Sequence, residues 1–316
     1  MKHKRFIVLL LIGFAVIAVA AILILLQSQR PTGQTDALGA TPASAGLALF
    51  QPKGVVAAGE RNLIITAVLL MLLLVVPVVA AAFIIAYKFR AGNQRAAYEP
   101  NWDHNKFLQS LWWGLPALVI LCLSVLTWRG AHDFEPSKPL QSPLPPLVVQ
   151  VVALRWKWLF IYPEKKIATL NFVEFPENRP VRFELTADAP MNSFWIPQLG
   201  GQMYAMAGMV NNLYLMASQT GEFTGGAAEI NGRGFSGMKF IAKAVTTSDF
   251  SAWLAAAKQS PRGLPWSDYL KLTQPTENDP PAVYSWYEPD LYNKIVAQFM
   301  APAAGNGEPQ LIMPGM

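Results

Sequence analysis

The chain of 316 residues contains one cysteine and three histidines. A single thiol excludes a disulfide within the chain, a cysteine-rich zinc site and an iron–sulfur cluster. Cys122 lies inside an apolar run and reads as a small buried hydrophobe. The histidines, His3, His104 and His132, are scattered along the chain, so none joins a ligand set. No nucleophile stands beside a paired base, and no glycine loop has the pattern that cradles phosphate. Charge is scarce as well: 14% of residues are charged and 53% are apolar, with a mean hydropathy of +0.27. That balance points away from an all-soluble protein and places part of the chain in lipid.

The net charge of +5 is unevenly distributed. Residues 1–128 hold 10 Lys/Arg against 4 Asp/Glu, while residues 129–316 hold 15 against 16. Basic residues that flank apolar spans follow from the positive-inside rule and from anionic headgroups, so they give no support to nucleic-acid binding.

Three charge-free stretches are long enough to cross about 30 Å of hydrocarbon as helices: Phe6 to Leu26, Asn62 to Tyr87 and Phe107 to Trp128. Pro77 and Pro116 interrupt the second and third, as membrane helices tolerate. Lys2, Lys4 and Arg5 precede the first span, and Lys88, Arg90, Arg95 and Lys106 crowd the connection between the other two. Both ends belong in the cytoplasm, which puts everything after Arg129 outside, in the periplasm of a bacterium. Residues 1–27 are a retained anchor or a signal segment; the 21-residue apolar run exceeds a usual signal core, and Gln27-Ser28-Gln29-Arg30 supplies no small-residue cleavage site. Residues 28–61, rich in Gly, Ala, Thr and Pro, then read as a periplasmic linker to the hairpin of residues 62–128. Trp112, Trp113 and Trp128 mark span ends.

Beyond residue 128 the hydrophobic period changes. Val181 to Thr186 alternates strictly, and Val148 to Tyr162 is one β-branched and aromatic run ending at Pro163. Further strands are expected at Asn212 to Ala217 and Met238 to Val245, so residues 129–247 form an all-β sandwich. Residues 248–316 form a helical and aromatic-rich region, with Ser248 as the N-cap of a helix over Asp249 to Gln259 and a second helix over Pro289 to Met300. The tail from Ala301 is expected to lack fixed structure.

A helix hairpin followed by an external sandwich resembles subunit II of the haem–copper oxidases, and specific residues join the layout. Met191-Asn192-Ser193-Phe194-Trp195-Ile196-Pro197 resembles the H-S-W-x-x-P strand of that subunit in cytochrome c oxidases. Gly226 to Met238 resembles its copper loop, C-S-E-x-C-G-x-x-H-x-x-M. The likeness spans about residues 50 to 300. It places Asn192 and Phe235 at the two histidine positions and Ala227 and Asn231 at the two cysteines; only Glu229 and Met238 match. A main-chain carbonyl and a thioether cannot hold two copper ions, so the resemblance implies a cupredoxin-like fold without its copper pair.

That combination is similar to the second subunit of the cytochrome bo type ubiquinol oxidases. Met203-Tyr204-Ala205-Met206-Ala207-Gly208-Met209, Gly234 to Met238, Glu135 to Leu140 and Trp156-Lys157-Trp158 all resemble that family, as does the aromatic-rich C-terminal region. The resemblance implies a subunit without a redox centre, bound to a subunit I that holds the haems and a copper, with other small membrane subunits, ubiquinol and the phospholipid bilayer as further partners. It places Gln109 where relatives carry a glutamate at a proton entrance, with Glu99, Asp103 and His104 as nearby titratable groups. Three alternatives remain. A menaquinol oxidase subunit shares these features. A copper-bearing cytochrome c oxidase subunit is opposed by the missing ligands. A membrane-tethered copper carrier would use Met203, Met206 and Met209, whose bland reading is packing. Trp156 and Trp158 are read as neighbours on one strand face, corresponding to the aromatic patch through which electrons enter copper-bearing relatives, and here serving as core or interface.

Overall fold

A computed structural model describes residues 50–94 and 105–300 of the chain. The expected segment 1–27, most of the linker, the tail from Ala301, and Glu99, Asp103 and His104 lie outside the described residues. The chain divides into two units, one comprising residues 1–44 and 58–135, the other residues 45–57 and 136–316.

In the first unit, α1 (Val55–Lys88) and α2 (Lys106–Asp133) are both long and apolar enough to cross a membrane. Asn105 caps α2 by accepting from the backbone N–H groups of Phe107 and Leu108 at 3.0 and 3.1 Å. The helices meet through small residues. A Cβ on Gly130 would come within 2.6 Å of Leu63, and one on Gly59 within 2.2 Å of the Phe134 ring. Helix α1 begins seven residues before the expected Asn62, so residues 55–61 of the assigned linker are helical. Charge at Glu60 and Arg61 ends a hydrocarbon span but does not end a helix. The start is fixed instead within the second unit, where Gln198 O accepts from the Gly54 N–H at 3.0 Å and Leu199 O accepts from that of Ala57 at 3.1 Å. Those carbonyls satisfy donors that a helix start otherwise leaves unpaired.

The second unit is a sandwich of two sheets. One has six strands in the order β12-β3-β2-β1-β5-β8, the other five in the order β4-β10-β9-β6-β7. The strands are β1 (Leu147–Leu154), β2 (Lys157–Tyr162), β3 (Ile167–Leu170), β4 (Phe172–Pro176), β5 (Val181–Ala187), β6 (Asn192–Trp195), β7 (Met203–Ala205), β8 (Asn211–Leu215), β9 (Gly221–Ala227) and β10 (Lys239–Val245). Between the sheets Phe194 stacks on Phe240 at 5.0 Å, and the Trp158 ring meets Phe194 at 5.3 Å. The expected single run from Val148 to Tyr162 is a hairpin, broken at Arg155-Trp156, where Trp156 adopts φ 64°. Trp156 therefore lies in a turn and Trp158 in the core, not side by side on one strand face.

The C-terminal region continues as α3 (Thr247–Ala257), β11 (Gly263–Leu264), α4 (Trp266–Leu272), β12 (Ala282–Tyr284), β13 (Trp286–Tyr287) and α5 (Leu291–Met300). Thr246 caps α3, accepting from the Asp249 N–H at 3.2 Å, so the cap lies two residues before the one expected at Ser248. The Thr246/Asp249 spacing is that of a capping box with Asp in place of Glu. Helix α4 was not anticipated: seven residues are too few for a helical period to stand out. Leu264, Tyr269, Leu291, Tyr292 and Ile295 cover the outer face of the six-stranded sheet, against Val152, Leu154, Leu159 and Ile161.

One buried carboxylate gives the sandwich a pH dependence. Glu174 on β4 pairs in register with Lys243 on β10, whose other neighbour is Glu222 on β9. The Tyr162 hydroxyl donates to Glu174 O and accepts from its N–H, both at 2.9 Å. Burial raises the Glu174 carboxyl; Lys243, 3.9 Å away, opposes the shift, and Asp249 and Glu222 reinforce it. An acid raised by folding contributes stability that is complete below its unfolded pKa and is lost as pH rises through its folded value. Glu174→Gln removes that loss, so its melting temperature should rise relative to the parent as pH increases above the ordinary glutamate pKa of about 4.3. Thermal unfolding at a series of pH values checks this, and a constant difference between the two proteins would contradict it.

Candidate functional site

The four positions singled out by sequence lie at one end of the five-stranded sheet. Asn192 opens β6, Ala227 closes β9, and Asn231 and Phe235 lie on the loop between β9 and β10. β6 and β9 are neighbouring strands, and Phe194 pairs with Ala227 in their register. The Ala228 N–H donates to Ser193 O at 3.0 Å and so holds the loop's first residue against β6. Phe235 begins a single 3-10 turn, Phe235–Gly237, closed by the Met238 N–H donating to Phe235 O at 3.1 Å.

Three of the polar groups there bond to one another. The Asn231 side-chain amide donates to Asn192 Oδ1 and to Met238 Sδ, the latter at 3.2 Å. The Asn192 amide donates to Pro190 O at 2.7 Å. Asn192 is fully buried and Met238 is 1% exposed, while Asn231 is partly buried. Asn231 Nδ2, Asn192 Oδ1 and Asn192 Nδ2 are thereby satisfied, which is what burial of polar groups requires, while Asn231 Oδ1 has no protein partner. Ala227 packs against the sandwich core, and Phe235 offers only a ring at its position.

The loop rests on Trp156. Its indole N–H donates to Asn231 O at 3.3 Å, and a Cβ on Gly234 would come within 2.4 Å of its ring. Gly232, at φ 113°, lies over the same ring. The hairpin turn that sequence reasoning took for strand thus supports the loop, and the signal was the Gly-x-Gly spacing at 232–234, which allows an aromatic ring to approach the backbone closely.

Other candidate residues are elsewhere. Met203 packs on the sandwich core, whereas Met209 is exposed in the turn after β7. The hydrogen bond of Met209 N–H to Met206 O at 3.3 Å is a backbone turn and gathers no thioethers. The His132 ring lies 4.5 Å from that of Trp128, tilted by 36°, on α2. Among the described residues no group of three His, Cys, Asp or Glu side chains could hold a metal. Gln109 is exposed in the first turn of α2, where its backbone N–H donates to Asn105 O at 2.9 Å.

Two family models match the second unit: the periplasmic domain of cytochrome c oxidase subunit II over residues 159–245, and the COX aromatic rich motif over residues 258–303. Among curated relatives, cytochrome bo(3) ubiquinol oxidase subunit 2 of Pseudomonas putida is 47% identical over 79% of this chain and 80% of its own length. The subunit of the same name from Pseudomonas aeruginosa is 44% identical, covering 83% of this chain and 80% of that one. Ubiquinol oxidase subunit 2 of Acetobacter aceti is 43% identical, covering 80% and 83%. The chain belongs to the family of cytochrome bo ubiquinol oxidase subunit 2. Its sandwich is the cupredoxin-like domain of oxidase subunit II, and the segment that carries α4 and α5 is the aromatic-rich extension of that family.

In such a fold a copper pair would occupy the loop end of the sandwich, so the residues there can be tested for fit. A two-copper centre needs bridging thiolates and imidazoles. Here Asn192 and Asn231 are hydrogen-bonded to each other, Ala227 has no donor, and Phe235 has none. The buried polar atoms without a protein partner at this end, Asn231 Oδ1 and Ser193 Oγ, are hard oxygens unsuited to that metal. The donor set does not fit a copper pair. Titrating the purified protein with copper under mild reduction should therefore produce no purple mixed-valence spectrum; its appearance would refute this account.

Proposed function

We propose that the chain is the non-redox subunit II of a proton-pumping ubiquinol:oxygen oxidoreductase in the inner membrane of a bacterium. The observation that carries the reading is a subunit II sandwich whose copper-ligand positions, Asn192, Ala227, Asn231 and Phe235, hold a hydrogen-bonded amide cluster in place of metal donors. In this reading α1 and α2 cross the membrane, the basic connection around Lys88, Arg90 and Lys106 faces the cytoplasm, and the sandwich faces the periplasm. The haems and a copper reside in subunit I. This chain supports the assembly and stability of that subunit through the helix hairpin and covers its outer face, and other small membrane subunits complete the complex.

Electron delivery fits the missing relay. A soluble one-electron donor needs a surface centre to reach buried haems, whereas a lipid-soluble quinol reaches the catalytic subunit through the bilayer. Near-balanced charge beyond residue 128 offers no strongly acidic dock for a cationic cytochrome. Purification from native membranes in mild detergent tests the reading. Haem spectra and a single copper should accompany the chain; recovery of the chain with copper but without haem or partner subunits would overturn it.

Gln109 lies at the cytoplasmic end of α2 in this orientation, where the family resemblance places a proton-entry glutamate. A carboxylate there would bind and release protons and concentrate them electrostatically; an amide does neither. Gln109→Glu should raise turnover under conditions where proton uptake limits the rate, and should alter its pH dependence. Unchanged turnover and pH profile in a complex of normal haem content would remove this position from the proton pathway.

A further inference from the structure

The loop of residues 228–238 is overlaid by a segment of the C-terminal extension, and one buried cation ties that segment down. Lys157 is 1% exposed. Its Nζ donates to Gln274 O at 3.1 Å and to the Thr276 hydroxyl, and lies 3.3 Å from Asp279 Oδ2. The Thr276 hydroxyl donates in turn to the Asp279 carboxylate, and the Asn171 side-chain amide donates to Asp279 O at 2.8 Å. Residues 274–279 are thus fastened at both ends. Between the fastenings, Arg233 Nε donates to Glu277 Oε1 at 2.9 Å. Asn278 lies against Gly237, where a Cβ would come within 2.4 Å of Asn278 Oδ1.

The loop's opposite side rests on Trp156, the residue before Lys157 in the chain. A single hairpin turn therefore supports the loop from one side and anchors the overlying segment on the other. In metal-bearing loops, bonds to the ion fix a chain that has few other contacts. Beyond Ala228, whose N–H donates to Ser193 O, the loop's backbone N–H bonds are short-range: Phe235 N–H to Gly232 O, Gly237 N–H to Gly234 O, and Met238 N–H to Phe235 O, at 3.1 to 3.2 Å. Turns of this kind open readily without outside support.

We infer that residues 274–279 are a strap that takes over the ordering task of a metal, so that the shape of loop 228–238 depends on Lys157, Glu277 and Asn278. The inference rests on the proposed metal-free reading of the loop, and metal analysis of the same sample tests that reading separately. The strap itself is tested by hydrogen exchange in the intact oxidase complex. Lys157→Met keeps the aliphatic stem and removes the ammonium group. Asn278→Gly keeps a backbone already at φ 57° and removes the side chain that covers Gly237. In both variants the amides of Phe235, Gly237 and Met238 should exchange at least about tenfold faster, with those of β5 and β8 unchanged. Unchanged exchange at the loop in Asn278→Gly would overturn the proposal, as would equal acceleration across β5 and β8. If Lys157→Met does not assemble, Asn278→Gly decides alone. Copper in excess of the single ion assigned to subunit I would defeat the metal-free reading and leave the exchange result to judge the strap.

Discussion

A strand that loses water on both faces must be apolar along its whole length, and the β1–β2 hairpin is under that constraint. One face packs into the sandwich through Val149, Val151, Trp158 and Phe160; the other packs under the extension through Val152, Leu154, Leu159 and Ile161. The extension is therefore a third layer of the same unit, and its removal would expose a continuous apolar sheet face. The Tyr269 and Tyr292 hydroxyls show how that layer is fixed. Tyr269 donates to the Asp188 carboxylate at 2.5 Å and Tyr292 to Glu184 O at 2.9 Å. Both phenols are raised well above the usual range, chiefly by burial, so they remain neutral donors at any physiological pH.

Gln150 on β1 is only half-buried; among the fully buried residues of that hairpin one breaks the apolar rule. Lys157 is a cation in the buried seam between sheet and extension, and such a charge is tolerated only when paired and hydrogen-bonded. Removing one partner of a buried pair typically costs about 3–5 kcal/mol, whereas a well-packed apolar pair would serve stability equally well. Stability alone does not account for a lysine here. What the ammonium supplies is direction: its donors fix the positions of Gln274, Thr276 and Asp279, and with them the backbone that lies on the loop. An apolar side chain would bury the same area without setting that register.

The layout was legible in the sequence where a local signal decides it. Length and hydropathy identified the two apolar helices α1 and α2, strict alternation identified β5, and the loop residues were legible one by one because their family pattern is dense in chemistry. The failures share a cause. The break at Arg155-Trp156 carries no glycine or proline, since Trp156 takes its left-handed turn only because Gly234 and Asn231 O support its ring. The early start of α1 depends on carbonyls of Gln198 and Leu199, more than 140 residues away in sequence. The bonds among Asn192, Asn231 and Met238 and the fastening of Lys157 are likewise tertiary, so composition and period hold no trace of them.

The same tertiary contacts bear on what the proposed metal-free loop means physically. The resemblance sets Trp156 and Trp158 together against the aromatic patch through which electrons enter copper-bearing relatives, and a residue with that task must face the donor; Trp158 is buried in the core. The Trp156 indole N–H is engaged by Asn231 O and its ring is pressed on by Gly232 and Gly234. A tryptophan held in this way is a support for the loop. If electrons arrive through the bilayer as quinol, nothing requires either a relay in the loop or an open aromatic face beside it. Both positions are then free to be used for packing. The sandwich keeps its shape because the loop end still has to be filled. Amides bonded to one another, a thioether and an aromatic ring fill it at lower chemical cost than a metal centre that must be loaded, held and kept from side reactions.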